Sequence, residues 1–222
     1  MTESTGLSFI HMGEDIKIGT VGRPVSCVEY RIAEDGELLK RGESIFVGYY
    51  RNEEATNQAV TGGWLHTGDV AEEDEDGHVR IVDRKKDIII TSGGKNISPS
   101  EIENGLKVSP YIKEAIVIGD NRKYLSALIQ IDFDNVGKWA TDNRIPYTNF
   151  RNLSQNPQVK DLIQAEVDEV NRRIARVENV RKFHLLTKEL DHDDDEMTAT
   201  MKVRRKNIYE KFADEIESIY GS

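Results

Sequence analysis

The 222-residue sequence predicts an α+β fold in two parts, a β-rich part over residues 1–84 and a small domain over residues 85–222. Short apolar runs punctuated by glycine fill the first part and are typical of strands and turns. A fully charged run at residues 83–87 lies between two apolar runs and indicates a junction. The helix start and the strand-like runs that follow predict a short sheet with flanking helices.

The first part contains two hairpin signals and several short strand-like runs. Asp35-Gly36 predicts one hairpin, because Asp-Gly favours the tight turn that joins antiparallel strands. A second hairpin is predicted around residues 75–77, between strands at residues 69–72 and 78–82. The other predicted strands are residues 16–20, 28–32, 38–40 and 44–47.

The second part opens with a helix signal. Ser98 is an N-cap candidate, because its hydroxyl can accept a backbone N–H, and Pro99 suits the first helical position. Apolar residues at helical spacing and short apolar runs predict the rest. These elements are strands at residues 115–118, 127–131 and 183–186, a helix over residues 156–176 and a last helix from about residue 203.

Composition excludes several classes of function. Asp and Glu number 40 against 30 Lys and Arg, so the net charge of −10 repels nucleic acid. Cys27 is the one cysteine, so no internal disulfide or cysteine metal site is expected, which fits a cytoplasmic protein. No apolar run has the length of a transmembrane span, and the start lacks a secretion signal. Peripheral contact with a membrane stays open.

Four segments could carry chemistry, and each has an ordinary structural alternative. Asp69 follows a glycine at a predicted hairpin, where a carboxylate can accept two hydrogen bonds from a sugar diol. The alternative is a plain turn. Arg84 lies in the charged run and can hold a ribose or a phosphate with its planar guanidinium. The alternative is a solvated linker.

The other two segments follow the junction. Gly93 and Gly94 permit close approach of a ligand to the backbone, or they form a strand-to-helix turn. Lys202 precedes a helix in a loop of small residues and can extend into a neighbouring site, or it belongs to a basic patch. No Gly-x-Ser-x-Gly sequence is present, so a hydrolase triad has no support.

Taken in order, these segments resemble the signatures of the adenylate-forming superfamily. That superfamily includes acyl-CoA synthetases, adenylation domains of peptide synthetases and firefly luciferase. The similarity covers nearly the whole chain, and its segments together are far more specific than any one alone. The matching segments are Met1-Thr2-Glu3, Gly36-Glu37 through Thr56, Gly63-Trp64 through Thr67-Gly68-Asp69, Asp83-Arg84 through Glu103, and Thr200-Met201-Lys202 through Arg205.

The resemblance implies a role for each matching residue of the first part, which would be the last β-rich subdomain of a large adenylation domain. Thr2 and Glu3 would lie near the ATP phosphates, and Glu3 would help to hold Mg²⁺. Asp69 would bind the ribose hydroxyls. Arg84 would contact the ribose or phosphate region.

Further roles follow for the small domain. Lys86 matches the hinge about which that domain rotates, and Gly93 and Gly94 would line the channel for the pantetheine of CoA. Lys202 would be the catalytic residue that reaches the α-phosphate and the substrate carboxylate. A cation there offsets the repulsion between these two anions. Rotation about a hinge can supply a second face for the CoA step.

The resemblance implies a fatty acid–CoA ligase of lipid metabolism that uses ATP, Mg²⁺ and CoA and forms an acyl-AMP intermediate. Residues 134–178 add length relative to compact relatives, and Met201 stands where many have glycine, which resembles the long-chain branch. The phosphate loop and the acyl pocket are absent. We therefore expect a fragment that needs the missing N-terminal large domain and is inactive alone. Two alternatives stay open, an adenylation domain that loads a carrier protein and a non-catalytic nucleotide- or CoA-binding module.

Overall fold

The chain divides into two compact units in the computed structural model, which describes residues 1–221. The first unit spans Met1–Ile88, and the second begins at Ile89. Both units combine sheets with helices, so the predicted α+β class is confirmed. The assignment of residues 1–84 and 85–222 to two domains of a complete enzyme stays a prediction.

The first unit is built on a five-stranded antiparallel sheet. Its elements are a 3₁₀ turn at Thr2–Ser4, β1 (Phe9–Ile10), β2 (Arg23–Pro24), β3 (Val28–Ile32), β4 (Glu37–Gly42), α1 (Glu53–Ala59), β5 (Val60–Thr61), β6 (Trp64–Glu73), β7 (Val79–Arg84) and a 3₁₀ turn at Lys85–Asp87. The long strand β6 pairs with β4 on one edge. Its other edge pairs first with β5 and then with β7. Strand β3 completes the sheet beside β4.

The two predicted hairpins are confirmed, and local turn chemistry explains both. Asp35 accepts the Glu37 N–H at 3.1 Å, and Gly36 takes a φ of 83°, which closes the turn between β3 and β4. Asp74 accepts the His78 N–H at 2.9 Å in the turn between β6 and β7. Short Asp side chains stabilise turns by such bonds to the backbone that follows.

Two predicted strands, residues 16–20 and 44–47, are wrong. Ile18 is 97% exposed and lies in a turn that the Thr20 N–H closes on the Lys17 carbonyl at 3.2 Å. Val47 is fully exposed, and the Ile45 N–H closes another turn on Gly42 at 3.2 Å. β-branched residues favour strands only where a half-buried sheet surface receives them, and neither run has one.

The second unit is built on a three-stranded sheet in the order β10-β11-β12. Its elements are β8 (Ile89–Ile90), β9 (Asn96–Ile97), α2 (Pro99–Lys107), β10 (Ile112–Ile118), β11 (Leu125–Ile131), α3 (Phe133–Asp142), α4 (Phe150–Ser154), α5 (Pro157–Asn171), a 3₁₀ turn at Arg176–Glu178, β12 (Val180–Leu185), α6 (Arg205–Lys211) and α7 (Ala213–Tyr220). Strand β11 pairs antiparallel with β10 and parallel with β12. Strands β8 and β9 form a separate hairpin.

Every residue of the central strand β11 is buried, because helices cover both faces of this sheet. Alternate residues such as Ala127 and Ile129 pack in a core with side chains of α2, α3 and α5. Leu128 points to the opposite face and packs with Ile208 of α6 and Ile216 of α7. Side chains of a strand alternate between faces, so one strand supports two cores.

Several helix predictions need correction. The last helix is broken at Phe212 into α6 and α7, and Phe212 itself is buried in the core. The helix predicted to residue 176 ends at Asn171, whose side chain bonds the backbone N–H and carbonyl of Val180, each at 2.9 Å. Helices α1, α3 and α4 were not predicted. Among residues 1–221, no helix combines the length and the apolar character that a membrane crossing needs.

Candidate functional site

Asp69 and Arg84 face each other across β6 and β7. Arg84 Nη1 donates to Asp69 Oδ1 at 2.7 Å and to the Thr67 carbonyl at 3.1 Å. The bond to Asp69 raises the pKa of Arg84 further above its usual value. Both side chains reach solvent, with 23% of Asp69 and 51% of Arg84 exposed. The pair therefore presents hydrogen-bond acceptors and a fixed cation side by side, which suits a polyhydroxylated anion.

Thr67 and Gly68 shape the backbone that presents Asp69. The buried Thr67 hydroxyl donates to the Leu38 carbonyl at 2.6 Å and accepts the Asp69 N–H at 3.1 Å. Gly68 has a φ of 69°, a left-handed conformation that glycine adopts at little cost. The order Thr-Gly-Asp thus places a buried anchor, a permissive turn residue and a carboxylate that reaches solvent in succession.

Glu37 is a buried carboxylate that holds the Gly68 turn. It is 5% exposed and accepts the Gly68 N–H at 2.9 Å. It also accepts the Lys85 ammonium at 2.9 Å and contacts His66 Nδ1 at 3.2 Å. Burial raises the pKa of Glu37, but Lys85, the Gly68 N–H and His66 outweigh it, so the pKa lies below its usual value. Glu37 is therefore an ionised support for the residue that precedes Asp69.

Glu37→Gln is expected to lower the free energy of unfolding of the first unit by about 1–3 kcal/mol at pH 7, because it weakens buried hydrogen bonds to a charged acceptor. Urea unfolding can be followed by Trp64 fluorescence in a Trp139→Phe background. A folded pKa below 4.5 makes this stabilisation present above that pH and lost as the pH falls below it. The difference between parent and variant should shrink accordingly.

The matched control is Glu29→Gln. Glu29 pairs with Arg41 on the same sheet, and their side chains are 65% and 49% exposed. Exposed ion pairs contribute about 0–1 kcal/mol. Equal losses for Glu37→Gln and Glu29→Gln would contradict the supporting role of Glu37.

Glu3 adds a second carboxylate to the first unit. Its side chain accepts the Tyr49 hydroxyl at 2.9 Å, and its carbonyl accepts the Phe46 N–H at 2.8 Å. Its own backbone N–H and the Tyr49 hydroxyl lower the pKa of Glu3, and the charge of Arg84 contributes in the same direction. Mg²⁺ in nucleotide sites is commonly held by one or two carboxylates plus the phosphates, so an ionised, partly exposed Glu3 fits that ion.

Gly93 and Gly94 form the tip of the loop between β8 and β9. The Gly94 N–H donates to the Thr91 carbonyl at 2.8 Å, and Thr91 N–H donates to the Lys95 carbonyl at 3.0 Å. A Cβ on Gly94 would meet no atom within 4 Å, and one on Gly93 would meet only the Thr91 hydroxyl at 3.9 Å. The glycines therefore leave an open backbone surface at this tip.

Lys202 lies on a tight loop that closes on itself. The Thr198 N–H donates to the Lys202 carbonyl at 2.8 Å, and the Lys202 N–H donates to the Thr198 hydroxyl at 3.0 Å. Met201 takes a φ of 58° at the tip, a conformation that costs a residue with a side chain about 1–2 kcal/mol. Lys202 is exposed, and no carboxylate among residues 1–221 forms an ion pair with its ammonium. This cation can therefore approach an external anion.

The sequence of the second unit decides the family. Residues 86–222 match the family described as the AMP-binding enzyme C-terminal domain. The chain belongs to the AMP-binding enzymes. The resemblance to adenylate-forming enzymes is thereby confirmed.

Curated relatives of this chain are fatty acid–CoA ligases. Long-chain-fatty-acid–CoA ligase FadD15 of Mycobacterium tuberculosis is 43% identical over 222 residues, which cover 100% of this chain and 37% of that protein. Long chain acyl-CoA synthetase 3 of Arabidopsis thaliana is 29% identical over 237 residues, covering 99% of this chain and 36% of that protein. The chain thus spans little more than a third of the length of these relatives.

Solved structures of AMP-binding enzymes share the fold. The anthranilate CoA ligase AuaEII, solved with anthranoyl-AMP, has a TM-score of 0.69 and 25% identity, and the match covers 98% of this chain and 38% of that one. The adenylation domain of a carboxylate reductase from Mycobacterium chelonae has a TM-score of 0.73 at 22% identity, covering 90% of this chain and 32% of that one.

The predicted site residues fall into both units. Asp69 and Arg84 are in direct contact, and Arg84 also acts on Glu3 through its charge. Thr2 is exposed at the start of a 3₁₀ turn, where its carbonyl accepts the Thr5 N–H at 3.0 Å. Lys86 is exposed in the turn Lys85–Asp87, just before the junction of the units.

The second unit carries the remaining predicted residues on two separate loops, Gly93 and Gly94 on one and Lys202 on the other. Sequence reasoning assigned no role to two buried carboxylates, Glu37 and Glu103, or to the half-buried Arg205. All three lie inside the segments that resemble the family, so the segments themselves contained the signal. Only the structure shows what each of them contacts.

Proposed function

We propose that this chain is the carboxyl-terminal part of a long-chain-fatty-acid–CoA ligase. The complete enzyme would activate a fatty acid with ATP to acyl-AMP and then transfer the acyl group to CoA. The observation that carries the proposal is the 43% identity to FadD15 along the whole of this chain. The Asp69–Arg84 pair supports it, because both side chains reach solvent and Asp69 can accept hydrogen bonds from ribose hydroxyls.

In the proposed enzyme, the first unit holds the nucleotide. Asp69 accepts hydrogen bonds from the ribose hydroxyls, while Arg84 orients Asp69 and faces the ribose or the phosphates. Thr2 lies near the phosphates, and Glu3 holds the Mg²⁺ that accompanies ATP. The ion neutralises phosphate charge when bound. The lowered pKa of Glu3 keeps its carboxylate ionised for this role.

The second unit serves the two half-reactions in turn. Lys202 approaches the α-phosphate and the fatty acid carboxylate, where its charge stabilises the charge that builds up in the transition state. Gly93 and Gly94 line the path of pantetheine in the second half-reaction, where their lack of side chains leaves room for it. Rotation of the second unit about Lys86 as a hinge brings first Lys202 and then Gly93 and Gly94 to the reactants.

The large amino-terminal domain that supplies the phosphate loop and the acyl pocket is the required partner. The unpaired Cys27 is exposed and suits a reducing cytoplasm, where we place the enzyme. Peripheral contact with a membrane stays a prediction.

A hybrid enzyme tests the proposal. Residues 1–222 replace the segment of M. tuberculosis FadD15 that they match, and the hybrid is assayed with palmitate, ATP, Mg²⁺ and CoA. We expect palmitoyl-AMP formation followed by palmitoyl-CoA, with FadD15 itself as the positive control. The 222-residue chain alone should give no ATP–pyrophosphate exchange.

Three outcomes would overturn the proposal. One is a hybrid that has the circular dichroism of FadD15 but forms no palmitoyl-AMP. Another is transfer of the acyl group to a phosphopantetheinyl carrier protein and not to CoA, which would identify a carrier-loading enzyme. The third is substantial exchange by the chain alone.

A further inference from the structure

The second unit contains a largely buried ion pair that the roles above do not use. Arg205, the first residue of α6, donates from Nη2 to both carboxylate oxygens of Glu103 on α2, at 2.6 and 2.5 Å. The two side chains are 18% and 9% exposed. Few charged pairs are removed from water to this degree unless their hydrogen bonds are well satisfied.

Both residues of the ion pair also contact the backbone of Val117 in β10. The Val117 N–H donates to Glu103 Oε1 at 2.7 Å, and the Val117 carbonyl lies 3.4 Å from Arg205 Nη1. Strand β10 is an edge strand of its sheet, so these backbone groups face away from the ladder with β11. Buried backbone groups need partners, and Glu103 and Arg205 supply them. The contact therefore joins α2, β10 and the start of α6.

Arg205 comes directly after the loop at residues 198–204 that carries Lys202, called the Lys202 loop below. The loop is closed at its base by a bridge between Met197 and Val203 and by the Arg204 N–H, which donates to the Glu196 carbonyl at 2.8 Å. Lys202 and the ion pair line the same cleft of about 230 Å³. The position of the loop relative to the sheet thus depends on where Arg205 is held.

We infer that Glu103 and Arg205 are positioning residues for Lys202: their ion pair fixes the end of the Lys202 loop to α2 and β10, so that the ammonium is presented to the anionic reactants of the adenylation step. This inference deepens the proposed function and rests on it. A loop that is free at this end would present the cation in many directions. Fixed, preorganised charges stabilise a transition state best.

The geometry is tested first on the 222-residue chain without any assay of activity. Glu103→Gln keeps the size of the side chain but removes the negative charge that pairs with Arg205. We expect hydrogen exchange at the Lys202 amide, which is bonded to the Thr198 hydroxyl, to quicken by roughly tenfold or more. Glu217→Gln is the control, because Glu217 pairs with Arg122 on an exposed surface of the same unit. Unchanged exchange in Glu103→Gln would overturn the inference.

A second variant keeps the test valid where Glu103→Gln fails to fold. Arg205→Lys retains the positive charge but loses the planar guanidinium that donates to Glu103 through Nη2 and to the Val117 carbonyl through Nη1. It should quicken exchange at the same amide, in the same direction. Normal protection of that amide in a folded Arg205→Lys chain would equally overturn the inference.

The hybrid enzyme then separates positioning from general stability. Glu103→Gln should lower kcat for palmitoyl-AMP formation roughly tenfold, while thioester formation from supplied palmitoyl-AMP stays near the parental rate. In a Lys202→Ala background the same change should add no further loss, because it acts through Lys202. Additive losses, or an equal loss in both half-reactions, would overturn the positioning role. A parental hybrid that forms no palmitoyl-AMP would instead overturn the proposed function and leave the exchange result intact.

Discussion

Lys202→Ala is expected to lower palmitoyl-AMP formation by the hybrid enzyme roughly 10²-fold or more, the loss typical of a preorganised electrostatic group. The reaction brings a carboxylate to the α-phosphate, and a cation between them offsets their repulsion. Lys202 is exposed on a closed loop, and no ion pair within residues 1–221 engages its ammonium. ATP–pyrophosphate exchange with palmitate measures this half-reaction directly.

Lys206→Ala is the matched control, because it removes the same charge from the same region. The Lys206 side chain is 87% exposed, and its nearest carboxylate oxygen, on Glu210, is 3.9 Å away. Such a residue on α6 should leave adenylation within about twofold of the parent, as for most surface substitutions. Adenylation near the parental rate in Lys202→Ala would show that another cation serves the reaction.

Gly93→Leu is expected to lower thioester formation from palmitoyl-AMP and CoA roughly 10²-fold, while adenylation stays near normal. Misplacing a reactant by about 1 Å can cost that factor, and a leucine at this open tip would occupy the space proposed for pantetheine. The local fold should accept the change, because a Cβ on Gly93 meets only the Thr91 hydroxyl at 3.9 Å. Separate single-turnover assays of the two half-reactions measure the contrast.

Two further variants at this tip distinguish steric blocking from backbone strain. Gly94 has a φ of 74°, so even Gly94→Ala introduces strain without much bulk. Gly93 lies outside that region, so Gly93→Ala should have a far smaller effect than Gly93→Leu. Transfer to CoA at the parental rate by Gly93→Leu would remove Gly93 from the pantetheine path.

The fold was predictable where short-range chemistry decides the structure. Asp35-Gly36 identified a hairpin because Asp35 accepts a backbone N–H within the turn and Gly36 takes a left-handed conformation there. Ser98 with Pro99 marked the start of α2. The predicted strand at residues 127–131 was confirmed within β11, because a run that is apolar except for Gln130 fits a strand that is buried on both faces. Local signals of this kind do not depend on distant partners.

The wrong strand and helix predictions have the opposite cause, because contacts between distant residues decide the structure there. The run around Ile18 has strand-forming residues, yet within residues 1–221 no strand pairs with it. Asn171 ends α5 by bonding Val180, and no periodicity in the helix itself reveals that partner. Phe212 belongs to the core of the sheet, which draws the chain out of one straight helix into two. Tertiary contacts overrode intrinsic propensity in each case.

The candidate site likewise contains residues that local sequence segments predicted and supporting residues that they did not. The candidate residues that reach solvent, Asp69 and Lys202 among them, were predicted from resemblance to short segments. Their supports were not, because the interacting residues are far apart in the chain. Glu37 and Gly68 are 31 residues apart, and Glu103 and Arg205 are 102 residues apart. No local pattern could have joined these pairs.

The contact of Glu103 and Arg205 with β10 has a consequence for how this chain behaves in a crowded solution. An edge strand with bare backbone groups is a template on which another polypeptide can add a strand, and this is how many aggregates begin. Glu103 and Arg205 occupy those groups at Val117 with their own side chains. The contact that steadies the Lys202 loop therefore also guards the sheet against self-association.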